Sequence, residues 1–378
     1  MIKLAVIGAS YLQEPLIQKA KELGMETHVF AWAANDVGEK SADHFYPVSI
    51  IEKEKILEIC RDIGIDGICS ISSDLAAITV NYVASKMGLP GNSMESCENS
   101  TNKFRMRRCF EENGDPSPLS LRVRSLSDLD GVDLFYPVIV KPVDRSGSRG
   151  ITKLTGPGGM EDAIRFAMEQ GFDDCALVEE YAHGKEYSVE CISYHGRHHL
   201  LAITEKFTTG SPHFIETGHL EPAPLSEQMQ EKVRRTVFHA LESLGITDSA
   251  SHSELKIDQQ GNIRLIEIGG RMGGDFIGSD LVQLTTGIDF VKAVIDVALG
   301  KEPDLKPSAA FGAAAVRFVF SHEDIRVLEA VREEHPEYLF RVETGEIGEA
   351  EVMDSSQRYG YYLLRAGSGE ELRPYLPA

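Results

Sequence analysis

From Lys3 to Met87 the chain alternates apolar runs of strand length with helical segments, and each helical segment closes on a glycine. Lys3–Gly8, Glu26–Trp32 and Asp66–Ile71 read as strands. Pro15–Leu23, Glu52–Ile63 and Asp74–Met87 read as helices, ended at Gly24, Gly64 and Gly88. Strand, helix, strand in succession predicts parallel βαβ units in a doubly wound sheet. The first turn, Gly8-Ala9-Ser10-Tyr11-Leu12-Gln13, holds one of the three glycines that let a dinucleotide pyrophosphate approach the backbone, which weighs against NAD or FAD. A carboxylate or phosphate at the helix N-terminus stays open, as does a plain β–α turn.

The 378 residues leave room for two or three domains, and 42% hydrophobic with 26% charged residues is an ordinary globular balance. Thirty-eight basic against 59 acidic side chains give a net charge of −21, which argues against nucleic acid as a partner. The six cysteines form no C-x-x-C pair, the reading of reduced thiols. No apolar run approaches the roughly 18 residues of a membrane span. A soluble, cytoplasmic protein is expected, with no membrane partner.

Beyond residue 97 the chemistry thickens. Asn99–Asn113 reads as a basic helix carrying Lys103, Arg105, Arg107 and Arg108, ended by Gly114 and a Pro-rich boundary, Asp115–Pro118. Such a cluster is either a solvated face or an anion contact. Leu134–Val140 reads as a strand ending in Lys141. After it, a loop with Ser146, Gly147, Ser148 and Gly150 could wrap phosphate oxygens or be a common Gly/Ser hairpin loop. Gly159–Gly171 and Glu227–Leu244 read as helices, and Tyr187–Tyr194 with His199–Thr204 as a hairpin. Phe207–Leu225 reads as a long polar loop with His213, Glu216 and His219, of the length that is usually functional or disordered. Residues 305–378 show short strands and one helix, with nothing that reads as chemistry.

The run Ser253–Gly274 reads as a hairpin, Glu254–Asp258 and Ile263–Ile268 around a Gln-Gly-Asn turn. A turn centred on Gln260 and Gly261 sets Glu254 opposite Glu267. Opposed Cβ atoms lie only about 4.5–5.5 Å apart, so two carboxylates there repel unless they splay into solvent or share a cation. Oxygen-only ligation suits Mg²⁺. On this reading Glu267→Gln relieves a clash and leaves the melting temperature unchanged or higher. Arg271 follows within a glycine-rich turn that includes Gly274.

A βαβ domain, a basic helix with Lys103, a strand with Lys141, the Gly/Ser loop, an acidic Glu179-Glu180-Tyr181-Ala182 segment with Glu186, and a two-carboxylate hairpin with Arg271 follow in that order. Together they resemble the ATP-grasp superfamily of carboxylate–amine ligases over about the first 300 residues. The resemblance implies an α/β and α+β architecture. A doubly wound domain (1–97) would precede an ATP-grasp domain of two α+β subdomains (98–300, with a lid at about 136–183) and a small α+β module (301–378). It implies ATP and Mg²⁺, with Mn²⁺ as a substitute ion. Lys103 and Lys141 would hold the α- and β-phosphates, Lys141 also serving catalysis. Ser146–Gly150 would be the mobile loop, and the backbone of Glu180 and Ala182, in the hinge Glu179–Ala182, would meet adenine. Glu186 would bind ribose, Glu254 and Glu267 the metal. Arg271 would steady the transferred phosphoryl and the acyl phosphate, and His213, Glu216, His219 and Gly274 would lie near the substrate.

The family commonly has asparagine two residues after the second metal glutamate. Here that position is Gly269, an E-x-G-x-R pattern similar to the branch of L-amino-acid ligases. The implied reaction activates a carboxylate as an acyl phosphate, which an amine then attacks. The partners would be a small carboxylate and a small amine, and a homodimer is compatible with this reading. A purine-pathway type of enzyme using formate or bicarbonate, a biotin carboxylase (disfavoured by length) and an ATP-binding regulator without turnover are the rivals.

Overall fold

A computed structural model describes residues 1–145, 147, 149–211, 214–348, 352 and 354–377. Among the described residues the strands form three sheets. The first is parallel, in the order β3-β2-β1-β4, with β1 at Lys3–Ile7, β2 at Glu26–Ala31, β3 at His44–Pro47 and β4 at Gly67–Cys69. Its helices Lys53–Ile63 and Asp74–Met87 end in left-handed Gly64 and Gly88, as the sequence predicts. The β3 strand was not anticipated from the sequence pattern, being short, partly exposed and rich in aromatic polar residues.

The second sheet is antiparallel, in the order β5-β8-β6-β7, formed by β5 (Ser120–Val123), β6 (Val138–Pro142), β7 (Thr152–Leu154) and β8 (Ala176–Glu180). The third holds β9 (Lys185–Tyr194), β10 (Arg197–Thr208), β11 (Glu216–Glu221), β12 (Ser249–Ile257), β13 (Ile263–Gly269), β14 (Ala313–Phe318), β15 (Leu339–Thr344) and β16 (Gly360–Ala366). Its antiparallel order is β13-β12-β9-β10-β11-β14-β16-β15. The strands after residue 301 therefore continue the same sheet that carries the Glu254 hairpin.

Two sequence readings change here. The segment 207–225 contains β11, which pairs with both β10 and β14. Its period of two is hidden because the residues it buries include His219 and Glu221 as well as Leu220. The basic helix is two helices, Met94–Thr101 and Lys103–Asn113. Asn102 between them is extended, and its side chain accepts from Arg105 N at 3.1 Å, capping the second helix.

The large sheet separates two environments. Tyr187, Val189 and Cys191 on β9, with Leu255 and Leu265, pack on the helices Lys103–Asn113 and Glu227–Leu244 through Met106, Phe110, Val237 and Leu241. Each such buried side chain contributes about 1.5–3 kcal/mol. The alternate residues of β9 face the other way. There Ile192 joins Ala250, Phe290 and Leu4 in a core where the helix Phe290–Ala298 bridges the parallel sheet and the large sheet. This shared core fixes the C-terminal ends of β1 and β4 beside the polar half of the large sheet.

Candidate active site

That polar half opens into a cleft of about 380 Å³, lined from all three sheets by Ser72 and Asp74, by Lys141 and Tyr181, and by Lys206, Glu254, Glu267 and Arg271. The face is polar because the period of two places Glu186 and Glu190 of β9 beside Lys206 of β10 and beside His252, Glu254 and Lys256 of β12. Charges held at such depth must be paired.

Glu254 pairs with Glu267, as expected, but by a different route. The turn aligns Ile257 with Ile263 and Leu255 with Leu265, a register that would set Glu254 against Ile266. A bulge at Ile266 shifts the ladder by one residue and brings Glu267 opposite. Arg107 Nη2 donates to the bulged Ile266 carbonyl at 2.6 Å.

Neither carboxylate is left to repel the other. Lys103 Nζ donates to Glu267 Oε1 at 2.7 Å and to the Arg145 carbonyl at 2.7 Å. Lys206, only 3% exposed at its side chain, donates to Glu254 and lies 3.4 Å from Glu186 and 3.6 Å from Glu216. Burial works against the charge of Lys206, but Glu254, Glu186 and Glu216 outweigh it and hold the ammonium well above its ordinary range. Burial likewise opposes ionisation of Glu254, and Lys206 with His252 keeps it well below the carboxylate norm. The expectation that Glu267→Gln relieves a clash is therefore overturned: removing that charge strips a partner from buried Lys103.

Of the four cations in the basic helix, Lys103 and Arg107 are buried, one turn apart on its inner face, whereas Arg105 and Arg108 are exposed. Arg107 Nε lies 2.9 Å from Glu179 Oε1, and Lys141 Nζ lies 2.5 Å from Glu179 Oε2. Glu179 stands opposite Ile139 and so shares a face with Lys141 two residues on. Burial pulls its carboxyl upward, but Arg107 and Lys141 prevail and hold it at about 2. Its side chain thus braces Lys141 rather than facing a base. The Glu180 N–H donates to Leu119 O at 2.9 Å, and Lys153 sits 3.8 Å from the Tyr181 ring centroid. Tyr181, Ala182 and Glu186 line the cleft, as do Gly147, Gly274, Glu216 and His219. Gly150 is left-handed at φ 71° against Pro142 and Gln170. Ser146, Ser148 and His213 lie outside the described residues.

Arg271 makes a bidentate pair with Asp74, at 2.8 Å and 3.0 Å, across the boundary between the parallel sheet and the hairpin. This pair accounts for Gly269: a Cβ there would stand 2.7 Å from Asp74 Oδ1 and 3.3 Å from Arg271 Nε. An asparagine would need the room the ion pair occupies.

Sequence reasoning missed Asp74, Glu190, Lys206, His252 and Arg358. Glu190 accepts from Gly273 N at 2.9 Å and holds His252, whose imidazole is desolvated by burial yet raised to about 9 by that carboxylate. Arg358 donates to Asp275 Oδ2 at 2.9 Å and stacks 3.7 Å from the Phe318 ring centroid, bringing residues after 301 to the site. A charge inside an apolar strand run, as Glu190 in S-V-E-C-I and Lys206 in L-A-I-T-E-K-F, was the available signal.

The donor set fits a hard cation. Glu254 and Glu267 offer oxygens alone, and the nearby imidazole of His252 is already engaged by Glu190 and Glu254. Lys103, Lys141 and Gly147, which line the cleft, fit a polyphosphate.

Residues 134–280 match the model of the ATP-grasp domain. The alanine–anticapsin ligase of Bacillus subtilis (strain 168) is 27% identical over 278 residues, 67% of this chain and 58% of that protein. Carnosine synthase 1 of Mus musculus is 24% identical over 80% of this chain and 40% of its own length. The chain thus spans little more than half of the first relative and less of the second. The crystal structure of an L-amino acid ligase from Bacillus licheniformis superposes with a TM-score of 0.82 at 24% identity, covering 99% of this chain and 96% of that one. A phosphoribosylglycinamide synthetase from Anaerococcus prevotii follows at 0.78 and 19% identity, covering 99% and 96%. Residues 134–280 thus form an ATP-grasp domain, and along its length the chain shares the fold of these two solved structures.

Proposed function

We propose that the protein is an ATP-dependent ligase that joins a carboxylate, that of an amino acid, to an amine and releases ADP and phosphate. One observation carries the reading. Lys103, Lys141, and the opposed Glu254 and Glu267 with Arg271 come from three separate stretches of sequence and line a single cleft. The named activities of the alanine–anticapsin ligase and carnosine synthase relatives support it.

In this reading Lys103 and Lys141 hold the phosphates, with Glu179 and Arg107 keeping Lys141 in place. Tyr181 and Ala182 face the adenine and Glu186 the ribose, while the loop with Gly147 and Gly150 closes over the phosphates and excludes water. Glu254 and Glu267 hold Mg²⁺, for which Mn²⁺ can substitute. Arg271, fixed by Asp74, presents its guanidinium to the carboxylate undergoing activation, and Glu216, His219 and Gly274 border the substrates. His213 belongs to the same stretch of chain. Bound ATP supplies the phosphoryl group that converts a carboxylate oxygen into a leaving group. The chain's own share is positioning and charge neutralisation.

Product analysis tests the substrate class. Incubation with ATP, Mg²⁺ and pooled amino acids should yield a new amide mass, whereas ATP consumption with formate or bicarbonate alone would replace this reading with the purine-pathway type.

A further inference from the structure

The N-terminal sheet carries a second group of ligating side chains, at the opposite end of its strands from the cleft. Glu26 is the first residue of β2 and His44 the first of the edge strand β3, whereas the cleft lies beyond the C-terminal end of β4 at Ser72 and Asp74. His28 and His44 are cross-strand partners, and their rings stack at 4.8 Å with 12° between planes. Glu26 lies two residues before His28 and so shares its face. Both Nε2 atoms approach the same oxygen, Glu26 Oε1, at 3.3 Å from His28 and 3.1 Å from His44. One ligand atom from each of the three residues falls within 4.8 Å of the others.

His28 makes the group more than a surface cluster. It is 3% exposed, and its Nδ1 lies 3.1 Å from the Tyr46 hydroxyl oxygen. Its Nε2 is buried and aimed at Glu26 and His44, and among the described residues it makes no aligned hydrogen bond, Glu26 Oε1 standing 3.3 Å away. A buried polar nitrogen left in that state is costly. With Nδ1–H donating to Tyr46, Nε2 keeps its lone pair, the arrangement a metal-ligating imidazole takes when an outer partner fixes its tautomer.

We propose that Glu26, His28 and His44 bind a divalent transition-metal ion of the zinc class. Two imidazoles and one carboxylate suit zinc and its neighbours rather than Mg²⁺, and water would fill the remaining positions. The ion would clasp edge strand β3 to β2, so binding adds to the stability of the folded chain.

The test is titration of the whole protein with Zn²⁺ in excess Mg²⁺, which keeps the oxygen ligands of the cleft occupied, followed by calorimetry and thermal melting. One zinc ion per chain with a raised melting temperature is expected. His44→Ala, at a half-exposed position, should melt normally without metal, yet bind zinc about tenfold or more weakly and lose the thermal gain. Glu26→Gln should weaken binding too. Absence of zinc binding by the unaltered protein, or equal zinc affinity in both variants, overturns the proposal.

Discussion

Asp74, on the helix that follows β4, grips the guanidinium of Arg271 beyond β13 through two hydrogen bonds of 2.8 Å and 3.0 Å, so the parallel sheet itself orients an arginine of the cleft. Asp74→Asn keeps the shape and removes the charge. It should lower stability by about 3 kcal/mol, because the remaining guanidinium is only 15% exposed at its side chain. It should also lower kcat more than it raises the KM for ATP, since Arg271 is assigned to the carboxylate. Thermal melting and steady-state kinetics on one preparation check both.

Gly269 and Asp74 should be energetically coupled. Gly269→Ala sets a Cβ against Asp74 Oδ1 at 2.7 Å, a contact that must be relieved by moving the carboxylate. A cost of about 1–3 kcal/mol is expected in the otherwise unaltered protein, and clearly less when Asp74 is already alanine. A double-mutant cycle read by denaturant melts measures the difference.

Lys206 acts as an internal counter-ion to Glu254, Glu186 and Glu216. Lys206→Met leaves these carboxylates facing one another at depth. The variant should melt well below the unaltered protein in chelator and regain much of the loss in Mg²⁺, an ion that favours just such oxygens. Equal melting with and without Mg²⁺ would contradict the assignment.

Glu221 is fully buried on β11, where Thr204 Oγ1 lies 2.7 Å from one oxygen and Thr285 Oγ1 stands against the other. Burial raises its carboxyl from 4.5 to about 8, against the two threonine hydroxyls. Thr285 Oγ1 also lies 3.0 Å from the Leu281 carbonyl, so it can donate there and accept the Glu221 proton. Because the folded value lies above the ordinary one, the stabilising effect is complete below pH 4.5 and is lost as pH rises through 8. Linkage puts the loss on the order of 5 kcal/mol. Glu221→Gln should flatten this decline and leave the protein the more stable of the two at pH 8. Denaturant melts across that range check it.

What the sequence made legible follows from how local each signal is. The β1 and β4 runs and the glycine helix ends are written in adjacent residues, and the opposition of Glu254 and Glu267 lies within one hairpin. Even so, the turn register alone would have misplaced that pair without the bulge at Ile266. Asp74 and Arg271 stand 197 residues apart, and Arg358 reaches Glu216 across 142, distances at which no spacing rule operates. Strand β11 escaped notice because it is buried over four consecutive residues of which two, His219 and Glu221, are polar, a run that a pattern built on hydrophobicity does not register. In the basic helix four cations looked alike until packing separated Lys103 and Arg107 from the two outside.

Phosphate release from ATP in the presence of Mg²⁺ and pooled amino acids, with the unaltered protein beside Glu267→Gln, decides whether the cleft activates a carboxylate at a metal held by this glutamate. Release should depend on the amino-acid pool and fall at least about a hundredfold in the variant, while the variant's melting temperature drops by only a few degrees. Release that persists in Glu267→Gln, or ATP binding by the unaltered protein without turnover on any pool, would contradict it.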